Sequence, residues 1–198
     1  MTRLAFIIDL DYTLVKTNTT FEFLKVICPK RYLILSKILK PLLLLNAIIK
    51  RDIYKFTLVM MCIKGWNQRK LKQLARVYYE KIIKGKSSMY FNDILLSFLH
   101  RMRNVPKILL TASLDIIAEN FKDLSFDIIV SSESYIKDGK LSSFHDLYRR
   151  KNLILKILLK YFDKVVVFDD NPEPEFYVLG SKVIVVQIPA YGKYGKRA

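Results

Sequence analysis

The chain has 198 residues, of which 52% are hydrophobic and 26% are charged. This composition suits one packed domain, or a core with a small inserted subdomain, and excludes a disordered chain. Because 34 Lys and Arg outnumber 18 Asp and Glu, the net charge is +16, which attracts phosphorylated molecules, nucleic acids and acidic membranes alike. Two cysteines are too few for a disulfide framework or a zinc site. We interpret them as core thiols of a cytoplasmic protein.

Neither of the two apolar stretches predicts a targeting or membrane-spanning segment. Leu4–Ile8 is too short for the core of a secretory signal. The most apolar stretch, Tyr32–Ile49, is interrupted by two lysines and a proline, whereas a membrane span needs about 20 mostly uncharged residues. We therefore expect a helix there that is buried or lies at an interface, with burial as the default.

Short, continuous apolar runs recur along the chain and predict strands that are buried on both faces of a parallel sheet. The runs are Leu4–Ile8, Lys107–Leu110, Asp127–Val130, Val165–Phe168 and Val183–Ile188. Helical patterns separate the later runs, at Asp115–Lys122, Arg149–Tyr161 and Glu173–Leu179. The alternation predicts an α/β fold with a doubly wound, mostly parallel, Rossmann-like sheet.

The long interval between the first two strands contains only helical patterns. They are Phe21–Ile27, Tyr32–Ile49, Ile53–Ile63, Gln68–Ile83 and Tyr90–Met102. We predict a helical cap of residues 16–87, inserted after the first strand into a core of residues 1–15 and 88–190. A basic tail of residues 191–198 follows, and a hairpin turn is expected at residues 137–140.

Two carboxylates stand where the first strand ends. Asp9 and Asp11 are two residues apart, so their side chains tend toward the same side of the chain, at the sheet edge where α/β folds bind ligands. Two close carboxylates repel each other unless a cation or a shared proton lies between them. Thr13 follows, and the alternative to a functional motif is an ordinary turn that Thr13 caps.

The pattern Asp-x-Asp-x-Thr after an N-terminal strand resembles the first motif of the haloacid dehalogenase superfamily, and the remaining motifs follow in the family's order. A hydroxyl residue ends the second strand, and Thr111 matches the motif that binds a phosphoryl oxygen. Ser113, two residues later, is interpreted as the N-cap of the next helix. The matching phosphate-binding lysine is Lys151. The helical insert resembles the phosphoserine-phosphatase-like branch of the superfamily.

An acidic pair, Asp169 and Asp170, ends the fourth predicted core strand and matches the metal-binding motif of the same family. That branch usually has a different spacing of acids here, so the division of labour within the pair stays open, with Asp170 favoured as the ligand. Together with Asp9 and the backbone carbonyl of Asp11, this pair would bind Mg²⁺, which prefers oxygen ligands.

The resemblance implies a magnesium-dependent phosphohydrolase of small phosphomonoesters. Asp9 would form an aspartyl-phosphate and Asp11 would act as the general acid and base. Two alternatives remain: a phosphotransferase with the same site, and a non-catalytic basic protein that binds nucleic acid or an acidic membrane. Scattered basic residues make nucleic acid the less favoured partner, contact with a membrane surface stays open, and the sequence predicts neither the substrate nor the oligomeric state.

Overall fold

The computed structural model describes residues 3–49, 51–102 and 104–189. The predicted α/β fold is confirmed: six strands form one sheet in the order β4-β3-β2-β1-β5-β6, with helices around it. The strands are β1 (Leu4–Ile8), β2 (Lys107–Leu114), β3 (Ile128–Lys137), β4 (Lys140–His145), β5 (Lys164–Asp169) and β6 (Val183–Gln187).

The first strand lies in the interior of the sheet. β1 pairs in parallel with β2 on one side and with β5 on the other, and the outer neighbours β3 and β6 are also parallel. Only β4 is antiparallel, and it is joined to β3 by the predicted turn, in which Asp138 and Gly139 have φ values of 50° and 71°. Two successive positive φ angles are typical of a tight hairpin turn, because their twist matches that of the strands.

Alternate side chains of β1 enter two different hydrophobic clusters. Phe6 and Ile8 belong to the cluster that extends into the helices between β1 and β2. Ala5 and Ile7 belong to the cluster on the other face, which contains Leu155 of a later helix. Since both faces of β1 are buried, its sequence is continuously apolar rather than alternating.

Seven helices lie between β1 and β2 among the described residues, and three follow β2. They are α1 (Thr19–Ile27), α2 (Pro29–Ile38), α3 (Leu42–Ile49), α4 (Ile53–Ile63), α5 (Gln68–Tyr78), α6 (Ser87–Tyr90), α7 (Asp93–Arg101), α8 (Asp115–Ala118), α9 (Lys151–Leu158) and α10 (Pro174–Val178). A π-helical segment, Tyr79–Lys84, continues α5. The bounds of the cap, residues 16–87, stay a prediction, and the predicted tail lies outside the described residues.

The single helix expected at Tyr32–Ile49 is wrong, because the structure divides it into α2 and α3. Pro41 lies at the break; it lacks a backbone N–H and disfavours helical geometry in the residue before it. The expected burial is also wrong for much of this segment, since no residue of α2 is buried and Leu44 of α3 is 76% exposed. Within the described part of the chain, no helix combines the length and apolar character required to cross a bilayer.

Candidate active site

Three carboxylates meet at the carboxyl edge of the sheet. Asp9 follows β1 directly, Asp169 is the last residue of β5, and Asp170 comes next. One oxygen from each lies within 4.8 Å of the others. The pairing of β1 with β5 places Ile8 opposite Phe168, so the next residues of both strands emerge side by side. The parallel register therefore brings the first and last predicted acidic motifs together.

Lys151 lies between two of these carboxylates. Its Nζ donates to Asp9 Oδ1 at 2.7 Å and to Asp169 Oδ2 at 2.9 Å. Burial alone would lower the pKa of Lys151, but the two carboxylates raise it overall. Burial also raises the pKa of Asp9 to about 8, with Lys151 opposing the increase and Asp169 and Asp11 adding to it. Removal from water thus disfavours the carboxylate, and nearby positive charge favours it.

Glu173 fixes the position of Lys151 from the other side. Its two carboxylate oxygens accept hydrogen bonds from the backbone N–H groups of Lys151 and Asn152, both at 3.0 Å. These are the first two residues of α9, and Arg150 at the N-cap position makes no side-chain cap. A carboxylate at this end satisfies N–H groups that have no partner within the helix and interacts favourably with its dipole.

Thr13 links the two acidic motifs rather than only capping a turn. Its Oγ1 donates to Asp9 Oδ2 at 3.3 Å and accepts from the backbone N–H of Asp170 at 2.9 Å. The preceding residue, Tyr12, has a φ of 63°, a left-handed conformation that is uncommon for a bulky side chain. Backbone strain of this kind persists where the surroundings over-determine it, often at functional sites.

Asp11 is held by hydroxyl groups from two other segments. Thr19, the first residue of α1, donates its backbone N–H and its Oγ1 to Asp11 Oδ1 at 2.8 and 2.7 Å. Ser113 Oγ donates to Asp11 Oδ2 at 2.9 Å. Burial raises the pKa of Asp11, and these hydrogen bonds oppose that increase. The side chain of Asp11 thus lies outside the three-carboxylate group.

The interpretation of Ser113 as a helix N-cap is wrong. β2 continues to Leu114, which itself occupies the N-cap position of α8. Thr111 and Ser113 are both fully buried, as expected for positions two apart on one face of a strand. Thr111 Oγ1 accepts from the backbone N–H of Ser113 at 3.0 Å. A hydroxyl that accepts a hydrogen bond can still donate its proton. Thr111 is not among the described residues that line the cavity at this edge of the sheet.

Lys55 of α4 reaches the site and was not predicted. Its buried Nζ donates to the carbonyl oxygen of Ala112 in β2 at 3.0 Å and to Asp146 Oδ1 at 2.5 Å. Lys55 is the one charged residue within the apolar sequence Ile53–Ile63. That isolation is the signal from which its role could have been inferred, because a charged side chain is seldom buried without a partner.

These groups open into a cavity of about 810 Å³. Its wall includes the carboxylates and Lys151 from the core, Lys55 from α4, and Leu43 and Asn46 from α3. A volume of this order accommodates a small organic ligand. The cavity therefore brings residues from the strand ends and from the inserted helices around one space.

The ligand set fits a hard divalent cation. Asp9, Asp169 and Asp170 offer oxygen ligands only, at a spacing that one ion could bridge, and carboxylate oxygens are the ligands that Mg²⁺ prefers. The structure thus brings Asp9, Asp169, Asp170 and Lys151 together. Asp11 follows β1, and Thr111 lies within the adjacent strand β2. The roles of these six residues stay predictions.

A family model described as haloacid dehalogenase-like hydrolase matches residues 6–151 of the chain. The match includes Asp9, Asp11, Thr111 and Lys151 and ends before the acidic pair of β5. Among curated proteins, no sequence matches the chain.

Several solved structures share the fold. A protein of unknown function from Bordetella pertussis Tohama I has a TM-score of 0.68 at 14% identity, over 93% of this chain and 99% of that chain. A phosphoserine phosphatase from T. onnurineus, in complex with NDSB-201, has a TM-score of 0.61 at 17% identity, over 97% and 88%. A phosphoserine phosphatase described as a phospho-aspartyl intermediate analogue has a TM-score of 0.55 at 16% identity, over 86% and 78%. At these identities the likeness shows a common fold.

Proposed function

The chain belongs to the haloacid dehalogenase-like hydrolase family, and on that premise we propose that it is a magnesium-dependent phosphatase of small phosphomonoesters. The observation that carries the proposal is the position of Lys151 Nζ between Asp9 Oδ1 and Asp169 Oδ2, beside Asp170. The ammonium group of Lys151 can offset the negative charge of a phosphoryl group that approaches these carboxylates. The description of one structural neighbour as a phospho-aspartyl intermediate analogue supports the same chemistry.

In this proposal an oxygen of Asp9 attacks the phosphorus, and the bond from phosphorus to the ester oxygen breaks. Asp11 gives its proton to the leaving oxygen. Asp11 then takes a proton from water, the resulting hydroxide attacks the phosphorus, and the bond to Asp9 breaks to release phosphate. The hydrogen bonds from Thr19 and Ser113 keep the Asp11 carboxylate in one orientation for both proton transfers.

Lys151 and Thr111 would contact the equatorial oxygens of the transferring group, where their contribution is electrostatic. Asp9, Asp170 and the backbone carbonyl of Asp11 would hold Mg²⁺, with Asp169 beside them. When bound, the metal supplies positive charge that offsets the repulsion between carboxylate and phosphate. Lys55 also lines the cavity, where Asp146 offsets its charge and fixes its position.

The experiment is phosphate release from p-nitrophenyl phosphate by the purified full chain. We expect turnover with Mg²⁺, loss of turnover after chelation, and suppression by Ca²⁺, which prefers more ligands and looser geometry. Asp9→Asn should lower the rate at least about a thousandfold, as removal of a nucleophile does elsewhere. The matched control is Asp138→Asn at the exposed hairpin turn, which should keep the wild-type rate.

Undiminished hydrolysis after exhaustive chelation, or full activity of Asp9→Asn, would contradict the proposal. A phosphotransferase would use the same residues, and it is separated from a phosphatase by release of phosphate in the absence of any acceptor other than water. A non-catalytic binding protein would show no turnover and would be retained on nucleic acid or acidic lipid in a salt-dependent manner. For the compartment we propose the cytoplasm, which the buried free thiols of Cys28 and Cys62 support.

A further inference from the structure

The helix α2 is apolar on two faces, and only one of them packs against the protein. Tyr32 and Leu35 pack on the large hydrophobic cluster. Leu33, Ile34 and Ile38 face outward, with 58%, 58% and 66% of each residue exposed. Single exposed apolar residues are ordinary on protein surfaces, but here they follow one another along one face of a helix.

The next helix, α3, also exposes apolar side chains. Leu43, Leu44, Leu45 and Ile49 are all exposed. Both α2 and α3 pack against α4, so the two helices share a neighbour. We call the exposed Leu and Ile side chains of these two helices the outer apolar face. Large exposed apolar patches on proteins mark interaction sites.

The segment that carries the outer apolar face has charged residues of one sign only. Residues 23–51 contain no Asp or Glu and seven basic residues: Lys25, Lys30, Arg31, Lys37, Lys40, Lys50 and Arg51. Lys30, Arg31, Lys37 and Lys40 are exposed and form no ion pair with any described residue. Leu and Ile interleaved with Lys and Arg on surface helices are typical of segments that lie in the interface of an acidic bilayer.

We propose that the outer apolar face docks on the surface of a membrane that contains acidic phospholipids. The apolar side chains enter the boundary between headgroups and acyl chains, while the surrounding lysines and arginines contact the phosphate groups of the lipids. Nucleic acid fits less well, since it offers no apolar layer for seven or so leucine and isoleucine side chains. A protein partner would need an apolar surface that is surrounded by acidic residues. A bilayer with acidic phospholipids has both an apolar layer and negative charge by its composition alone.

The docked orientation places the candidate active site close to the lipid surface. Leu43, which belongs to the outer apolar face, also lines the wall of the 810 Å³ cavity, as does Asn46 one turn later. Asn46 accepts hydrogen bonds from the backbone N–H groups of Ile53 and Tyr54, which connects α3 to the start of α4. The mouth of the site and the docking face are thus formed in part by the same short helix.

The test is co-flotation of the full chain with vesicles, and it needs no catalytic activity. Vesicles of phosphatidylcholine with phosphatidylglycerol are compared with vesicles of phosphatidylcholine alone. The variant is Ile34→Glu, and the matched control is Ile94→Glu on α7, where the side chain is also exposed and the charge change is identical. Neither residue belongs to the cavity wall, so hydrolysis of p-nitrophenyl phosphate and the thermal melting curve serve as checks of folding.

We expect the wild-type chain and Ile94→Glu to float with the acidic vesicles and only weakly with phosphatidylcholine alone. Ile34→Glu should reduce the bound-to-free ratio about tenfold or more, because it puts a charge in place of an isoleucine side chain that docking would bury in the bilayer. Equal loss in both variants would overturn the proposal, since it would indicate only general attraction of a basic chain. Absence of binding by the wild-type chain would overturn it too. So would self-association that Ile34→Glu abolishes while vesicle binding is unchanged, because the face would then be a protein interface.

Discussion

At the carboxyl edge of the sheet, Asp9, Asp11 and Asp169 each accept hydrogen bonds from other segments of the chain. On α2 and α3, by contrast, leucine and isoleucine side chains project into solvent. Each arrangement alone raises the free energy of the folded protein, because a buried charge loses its hydration and an exposed apolar side chain stays in contact with water. The first is offset within the protein by Lys151, Thr19 and Ser113. The second is not offset within the described part of the chain, which is why we infer an external partner there.

The largest effect should come from Lys151→Met, which tests whether the lysine offsets the charge of the carboxylates. Removing one partner of a buried ion pair leaves the other charge uncompensated and costs about 3–5 kcal/mol. We expect a lower melting temperature, a rate of phosphate release reduced at least about a hundredfold, and partial recovery of stability when Mg²⁺ is added. Lys156→Met, on the exposed side of the same helix, is the control for the loss of a lysine. Equal stability of the two variants would show that Lys151 is not required to balance the acids.

A smaller effect is expected from Glu173→Ala, because Glu173 does not contact the substrate in our account but positions Lys151. Loss of a helix cap costs about 1–2 kcal/mol of stability, and a displaced Lys151 should lower kcat by about tenfold to a hundredfold with little change in KM. The measurement is steady-state kinetics well below the melting temperature, with Glu133→Ala on exposed β3 as the control. If kcat is unchanged while stability falls, Glu173 is only a structural cap.

The smallest effects should distinguish the two faces of α2. Leu35→Ala removes side-chain atoms that pack on the core and should lower the free energy of unfolding by about 1–2 kcal/mol, since Leu35 is only partly buried. Ile34→Ala, one residue earlier on the outer face, should stay within about 0.5 kcal/mol of the wild type. Denaturant unfolding measures both. A cost for Ile34→Ala as large as that for Leu35→Ala would mean that the outer face is packed in solution.

Much of the fold and the core of the site follow from the sequence for one physical reason. The buried strands of a parallel sheet are continuously apolar, and their carboxyl ends meet at one edge. That is why the runs at Leu4–Ile8 and Val165–Phe168 predict both the strands and the proximity of Asp9 to Asp169. The short turn at Asp138 and Gly139 is equally local, because only its own residues decide the backbone angles.

The remaining features depend on contacts between distant segments. Ser113 contacts Asp11 because β2 extends to Leu114, and a serine after an apolar run is equally compatible with a strand or a helix cap. The isolation of Lys55 in an apolar helix signals a buried charge, but no local pattern identifies Asp146, 91 positions away, as its partner. The interpretation of Tyr32–Ile49 as one buried helix is wrong because both faces of α2 are apolar, so hydrophobicity alone cannot distinguish the packed side from the exposed one.

Trapping is the most direct test of the proposed covalent phosphoenzyme on Asp9. The full chain and the variant Asp11→Asn are incubated with p-nitrophenyl phosphate and Mg²⁺, quenched in acid, digested and analysed by mass spectrometry. We predict one added phosphoryl group on Asp9, at higher occupancy in Asp11→Asn, because the loss of the general base slows hydrolysis of the intermediate. The adduct should be absent from Asp9→Asn. Turnover without an adduct in either protein, or a phosphoryl group on a residue other than Asp9, would contradict the account.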